Sequence, residues 1–182
     1  MQTDHGRSSC AASTPESLKG NNNVTPQKIK PFLWYDHAAE QAAEFYCSLF
    51  PNSSVHKITR YSEGGMAPAG TVMTVEFTLA GVEFVALNGG PIFKFTEAFS
   101  LSVECKDQAE VDCLWDKLLA DGGSPASCGW LKDRWGLFWQ IVPAVLPKLM
   151  ADPTGCVMQA MMQMTKLDIQ KLQAAFDGMR FA

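Results

Sequence analysis

From Lys28 onward, apolar residues recur with two periods, every second place or every three to four, and the switches between them cut the chain into elements. Ile29 to Tyr35 predicts a strand. Asp36 follows as a helix cap, and Ala39, Ala42, Ala43, Tyr46, Leu49 and Phe50 share one side of a helix that Pro51-Asn52-Ser53 ends. Val55 to Tyr61 is the next strand, and a Gly/Pro-rich loop runs from Glu63 to Gly70. Thr71 to Leu79 then alternates cleanly, turns at Ala80-Gly81 and returns as Val82 to Asn88.

After Gly89-Gly90-Pro91 the order repeats. Phe99 to Cys105 predicts a strand. Asp107 and Glu110 form a capping box that opens a helix with Val111, Leu114, Trp115, Leu118 and Leu119 on its buried stripe. Gly122-Gly123 stops that helix, a short segment covers Ser127 to Lys132, and Asp133 to Pro143 closes the unit as a strand that begins in a Gly136 turn and ends at proline. Residues 144–182 read as helical, with one stripe of Val157, Ala160, Met161 and Met164 and another of Ile169, Leu172, Phe176 and Met179 capped by Asp168. Residues 1–27 hold Gly, Ser, Thr, Asn and Pro with almost nothing to bury and are expected to form a disordered extension. The expectation is therefore an α+β chain: a module over 28–90, a second over 98–143, and helices over 144–182 packed on the same domain.

Alternation also sorts the strands into faces. On the last strand Leu137, Trp139 and Ile141 oppose Phe138, Gln140 and Val142, so one face is wholly apolar and the other carries an amide in an apolar setting. Phe32 and Trp34 oppose Leu33 and Tyr35, and Val85 and Leu87 oppose Phe84, Ala86 and Asn88. Met73, Val75, Phe77 and Leu79 oppose Glu76 with its neighbours, and Leu101, Val103 and Cys105 oppose Ser100, Ser102 and Glu104. The more apolar member of each pair is assigned to the helices, which makes Trp34, Trp115 and Trp139 core residues. Leu33, Tyr35, Phe84, Asn88, Ser100, Phe138 and Gln140 are left on a second face that suits either simple exposure to water or a small-molecule cavity. Glu76 and Glu104 fall on that second face too, as candidate proton carriers.

Composition narrows the function. A net charge of −4 and a pI near 5.3 provide no basic face for phosphates, which argues against a general nucleic-acid binder. No apolar run approaches the roughly 20 residues of a membrane span, and the N-terminus lacks the layout of a signal peptide, so the expected location is the cytoplasm. Six cysteines without a Cys-x-x-Cys pair fit reduced thiols better than a disulfide framework or a zinc site. The glycines pair at turns instead of forming a nucleotide-binding strand-to-helix loop, and no Ser-His-Asp or Cys-His set can be assembled. Cys47 reads as a small packed side chain.

The repeated strand-helix-three-strand order, Phe45-Tyr46 at the end of the first helix and the turn from Asp133 to Gly136 resemble the vicinal oxygen chelate superfamily of glyoxalase, bleomycin-resistance and dioxygenase folds. Within it, Pro31-Phe32-Leu33-Trp34-Tyr35-Asp36, the segment Asp133 to Pro143 and the segment Val157 to Met164 resemble the PhnB-like branch, often labelled 3-demethylubiquinone-9 3-methyltransferase. The resemblance covers about residues 28–180. It implies two βαβββ modules forming a curled mixed sheet around a concave site, and a homodimer. In the superfamily's metal enzymes four ligands come from the first and last strands of each module; carried over, they land on Pro31, on Ala86 or Asn88, on Ser100 and on Gln140. Of these only Gln140 offers a ligating side chain of any use, so no metal and no other cofactor is expected. Two readings follow: a protein that binds a small organic molecule without changing it, or a metal-independent isomerase or lyase in which Glu76 or Glu104 moves a proton.

Overall fold

A computed structural model describes residues 27–178, and the chain divides at Lys94/Phe95 into two compact units. The extension expected before Gln27 and the position of Met179 lie outside the described residues. Gln27 itself is held: its amide donates to the Glu83 carbonyl at 3.0 Å and accepts from the Glu83 N–H at 2.9 Å.

The first unit contains β1 (Phe32–Tyr35), α1 (Ala39–Leu49), β2 (Ser54–Arg60), β3 (Val72–Leu79) and β4 (Val82–Asn88). The sheet order is β1-β4-β3-β2, with β1 parallel to β4 and the other pairs antiparallel. Ile29 is 83% exposed and precedes the strand that was expected to include it. Asp36 does not cap α1. Ala38 occupies the cap position without a side-chain bond, and the Ala39 N–H donates instead to Asn88 Oδ1 at 2.8 Å. The cap thus comes from the end of a strand 49 residues away, which local sequence cannot reveal. Along α1, Ala39, Ala42, Ala43, Tyr46 and Leu49 are buried, the stripe that the periodicity predicts.

The second unit repeats the plan with β5 (Ser100–Cys105), α2 (Gln108–Leu119), β6 (Ser124–Pro125), β7 (Trp130–Lys132) and β8 (Phe138–Pro143). Its sheet order is β5-β8-β7-β6, again with one parallel pair, β5 with β8. The fold is accordingly α+β, with one four-stranded mixed sheet per module. Asp107 caps α2 by accepting from the Glu110 N–H at 2.9 Å, and Glu110 reaches back to the Lys106 N–H at 2.8 Å. Leu131, Trp139 and Ile141 are fully buried together with Val111, Leu114, Trp115 and Leu118 of α2; burial of each large apolar side chain contributes about 1.5–3 kcal/mol.

Asp133 is the one buried charged or polar residue among those described. Its Oδ1 accepts from the N–H groups of Trp135 at 2.9 Å and Leu137 at 3.1 Å, and its Oδ2 accepts from Trp139 Nε1 at 2.9 Å. One carboxylate therefore closes the turn, in which Gly136 takes φ +92°, and fixes the Trp139 indole under α2.

Three further helices, α3 (Leu146–Leu149), α4 (Cys156–Met162) and α5 (Ile169–Gly178), enclose a cluster of Leu149, Val157, Leu167 and Leu172, with Met161, Met164 and Phe176 packed against it. Asp168 caps α5 by accepting from the Lys171 N–H at 3.1 Å. This group is tied to the second sheet by Cys128 N–H to the Met164 carbonyl at 2.8 Å and Gly129 N–H to the Thr165 carbonyl at 2.7 Å. Gly129 is required there, because a Cβ would meet the Ile141 carbonyl at 2.9 Å and Leu167 Cδ1 at 3.0 Å. Gln108 adds a clasp, donating to the Leu167 carbonyl and accepting from the Ile169 N–H. Cys47, Cys105, Cys128 and Cys156 are free thiols. Among the described residues no helix is long and apolar enough to cross a membrane.

Candidate ligand-binding site

The face of the second sheet turned away from α2 brings Ser100, Phe138 and Gln140 together. The register sets Ser100, Phe138 and Lys132 side by side in one row, Ser102, Gln140 and Trp130 in the next, and Glu104 beside Val142 in a third. Gln140 Nε2 donates to Ser100 Oγ at 2.8 Å. Because Ser100 accepts in this bond, its own hydroxyl hydrogen remains to donate, and Gln140 Oε1 remains to accept. Neither group has another partner among the described residues. A buried Phe138 and a half-buried Trp130 flank the pair. The result is one donor and one acceptor side by side on an aromatic floor, which suits a neutral polar group on an organic molecule.

In the first unit the assignment of faces is reversed on two strands. Leu33, Tyr35, Phe84 and Asn88 lie on the face that α1 covers: the Tyr35 and Tyr46 hydroxyls are 3.3 Å apart, Asn88 caps α1, and Leu33 and Phe84 are buried, Phe84 stacked on Phe77. Phe32, Trp34, Val85 and Leu87 occupy the opposite face, where Phe32 is 59% exposed. Trp34 is not under the helix. It packs edge-on against Phe93 at 4.9 Å and donates from Nε1 to the Gly90 carbonyl at 2.9 Å. The physical reason is the hairpin. Ala80 and Gly81, both at positive φ, form a two-residue turn that pairs Leu79 with Val82 and therefore Phe77 with Phe84 and Val75 with Ala86. Since β3 has its apolar residues at Val75, Phe77 and Leu79, Phe84 and Ala86 must share their side. Both strands β1 and β4 are apolar at either parity, so hydrophobicity alone misassigns them, but the turn carried the signal.

Glu76 and Glu104 sit on the helix-free faces of their own sheets. Glu76 pairs with Lys57 at 3.4 Å, and Glu104 is exposed. Among the cysteines, Cys105 lies beneath the second sheet's helix, and burial, with Glu110, Asp107 and Glu104 adding to it, pushes its thiol up to about 12. Burial, and after it Glu44, likewise raises the Cys47 thiol, whose Sγ donates to the Thr78 carbonyl at 3.5 Å. Both stay protonated and are poor nucleophiles.

The donor set does not fit a catalytic metal. Ala86 and Asn88 face α1, and Asn88 has both ends of its amide committed, to Ala39 and to the Val72 carbonyl. The helix-free positions of β4 are Val85 and Leu87. Pro31 has no donor side chain, and Ser100 and Gln140 are bonded to each other. Among the described residues no group of three or more His, Cys, Asp or Glu could hold a metal ion.

The architecture of paired βαβββ modules with a helix-free sheet face is that of the glyoxalase-like class. The chain belongs to the 3-demethylubiquinone-9 3-methyltransferase family, whose model matches residues 27–142. It is similar to the PhnB protein of Bacillus cereus, at 38% identity over 65% of this chain and 100% of that one, with a TM-score of 0.60. A Pseudomonas aeruginosa protein, PA1353, shares the fold at 19% identity, covering 62% of this chain and 94% of that one, with a TM-score of 0.51. No curated protein matches the sequence.

Proposed function

We propose that this PhnB-like protein binds a small organic molecule on the helix-free face of its second sheet, without a metal and without transforming it. The observation that carries this reading is the Gln140–Ser100 bond at 2.8 Å, which leaves an acceptor on Gln140 and a donor on Ser100 beside Phe138 and Trp130. An amide, lactam or hydroxyl on an aromatic body would satisfy both. Metal independence is supported by the chemistry of the strand positions, where valine, leucine, alanine and proline stand and only one amide is of any use as a ligand. Methyl transfer, the activity in the family's description, is disfavoured by sheets with a single parallel pair each, since S-adenosylmethionine is usually held at a glycine-rich strand-to-helix turn of a parallel α/β sheet.

A proton-transfer reaction is the second reading, because Glu104 shares the face that Gln140 occupies. The ion pair with Lys57 speaks for Glu76 as a solvated surface group. We further read the protein as cytoplasmic and as a homodimer, the latter on the exposure of Phe32, Met158 and Met162. Thermal-shift screening of neutral aromatic amides against the wild type and Gln140→Ala tests the binding site; Glu76→Gln and Glu104→Gln then separate the two readings. Sequestration predicts undiminished binding in both glutamate variants and no turnover in any form. Turnover lost in Glu104→Gln establishes the enzyme instead.

A further inference from the structure

A hollow of about 510 Å3 opens in the first unit beside the first turn of α1, at the ends of β1 and β4 and under the loop that joins β2 to β3. It uses none of the residues of the Gln140 face. Its apolar lining comes from Pro68, Val72 and the exposed Met66, beside the ring of Tyr61, the carboxylates of Asp36 and Glu40 and the side chains of His37 and Gln41. We propose that it binds an organic ammonium compound, a cationic nitrogen carried on a small apolar body.

Charge and fixed geometry carry this choice. The polar groups at the base are already used: the Ala39 N–H goes to Asn88 Oδ1, the Asn88 Nδ2 to the Val72 carbonyl, and the Gly90 N–H to the Asp36 carbonyl. The N–H that opens α1 is thus already used, and Glu40 adds a negative charge to the helix's first turn. Neither lysine nor arginine is among the lining residues. Arg60, which is near in sequence, is turned to the Gly70 carbonyl at 3.0 Å. Glu40 has no ion-pair partner among the described residues, and Asp36 has only the exposed imidazole of His37 at 3.4 Å. Two negative charges therefore lack a fixed cation. The Tyr61 hydroxyl donates to the Asn88 carbonyl at 2.8 Å, which holds its ring in place as a wall of the hollow. An aromatic face with carboxylates around an apolar space is the arrangement that recognises ammonium groups, through the ring quadrupole and charge together.

The test titrates benzyltrimethylammonium, benzyl alcohol and phenylacetate into the full-length protein and follows the backbone amides by NMR. The cation should shift Tyr61, Gly89, Gly90 and the first turn of α1 saturably, while phenylacetate leaves them unmoved and benzyl alcohol binds at least about threefold more weakly. Glu40→Gln and Asp36→Asn should each weaken the cation about threefold, and together about tenfold, with spectra that otherwise remain those of the folded protein. Gln140→Ala should leave cation binding unchanged. No saturable shift, equal response to all three probes, or variants that bind the cation as the wild type does would each overturn the proposal.

Discussion

Replacing Asp133 by asparagine alters one atom that matters. The amide keeps an oxygen for the N–H groups of Trp135 and Leu137, at 2.9 and 3.1 Å, but it sets an NH2 where Oδ2 now accepts from Trp139 Nε1 at 2.9 Å. A charge-assisted bond worth about 1.5–3 kcal/mol is lost, and two donors face each other in a site only 2% exposed. The expected cost is about 3 kcal/mol. Trp139→Phe removes the indole N–H and part of a fully buried side chain, for about 2 kcal/mol. Combining them removes the donor–donor conflict, so the double variant should be about 1–2 kcal/mol more stable than the sum of the singles predicts. Urea unfolding at constant m-value measures all three. Additivity within about 0.5 kcal/mol, or an Asp133→Asn cost below about 1 kcal/mol, would refute the view that this carboxylate holds Trp139 through Oδ2.

Gly89→Ala would place a Cβ 2.2 Å from Trp34 Cζ2, so the indole must leave its contacts with Gly90 and Phe93; a loss of about 1–3 kcal/mol and a changed tryptophan emission are expected. In the native protein iodoacetamide at pH 8 should label the exposed Cys156 quickly and spare Cys105, read by mass spectrometry. Since the Cys105 thiol in the folded protein lies at about 12 against an ordinary 9.0, unfolded chains ionise first as pH rises, and stability should fall from about pH 9 upward; Cys105→Ala should blunt that fall. Asp112 is held below its ordinary 3.8 by hydrogen bonds from Lys166 and then Gln108. Its contribution is therefore present above pH 3.8 and lost as pH falls through the folded value, and Lys166→Met should weaken this acid sensitivity in urea midpoints measured from pH 6 to 3.

Much of this fold was legible because several segments allow one reading. On β3 the threonines and Glu76 leave a single apolar face, and on β8 the lone amide marks the other face from Leu137 to Val142. The capping box at Asp107 and Glu110 needs no tertiary information either. Where both faces are apolar, as at Phe32-Leu33-Trp34-Tyr35, strand periodicity carries no sign, and the choice falls to distant groups: the Tyr46 hydroxyl, the Ala39 N–H, the Gly89-Gly90 turn. The assignment of faces therefore held on the second sheet and was inverted on β1 and β4. Ser100, Phe138 and Gln140 share a helix-free face as expected, while Leu33, Tyr35, Phe84 and Asn88 support the helix. The hollow at Asp36 and Glu40 was invisible to pattern, since its walls come from a loop, a helix start and two strand ends separated by up to 54 residues, as between Asp36 and Gly90.

Native mass spectrometry of the gently purified protein, run beside Gln140→Ala, bears most directly on the central claim. A bound organic molecule on the wild type that is absent from the variant is the predicted result. An adduct with the mass of a zinc or nickel ion, or an organic adduct that the variant retains in full, would contradict it.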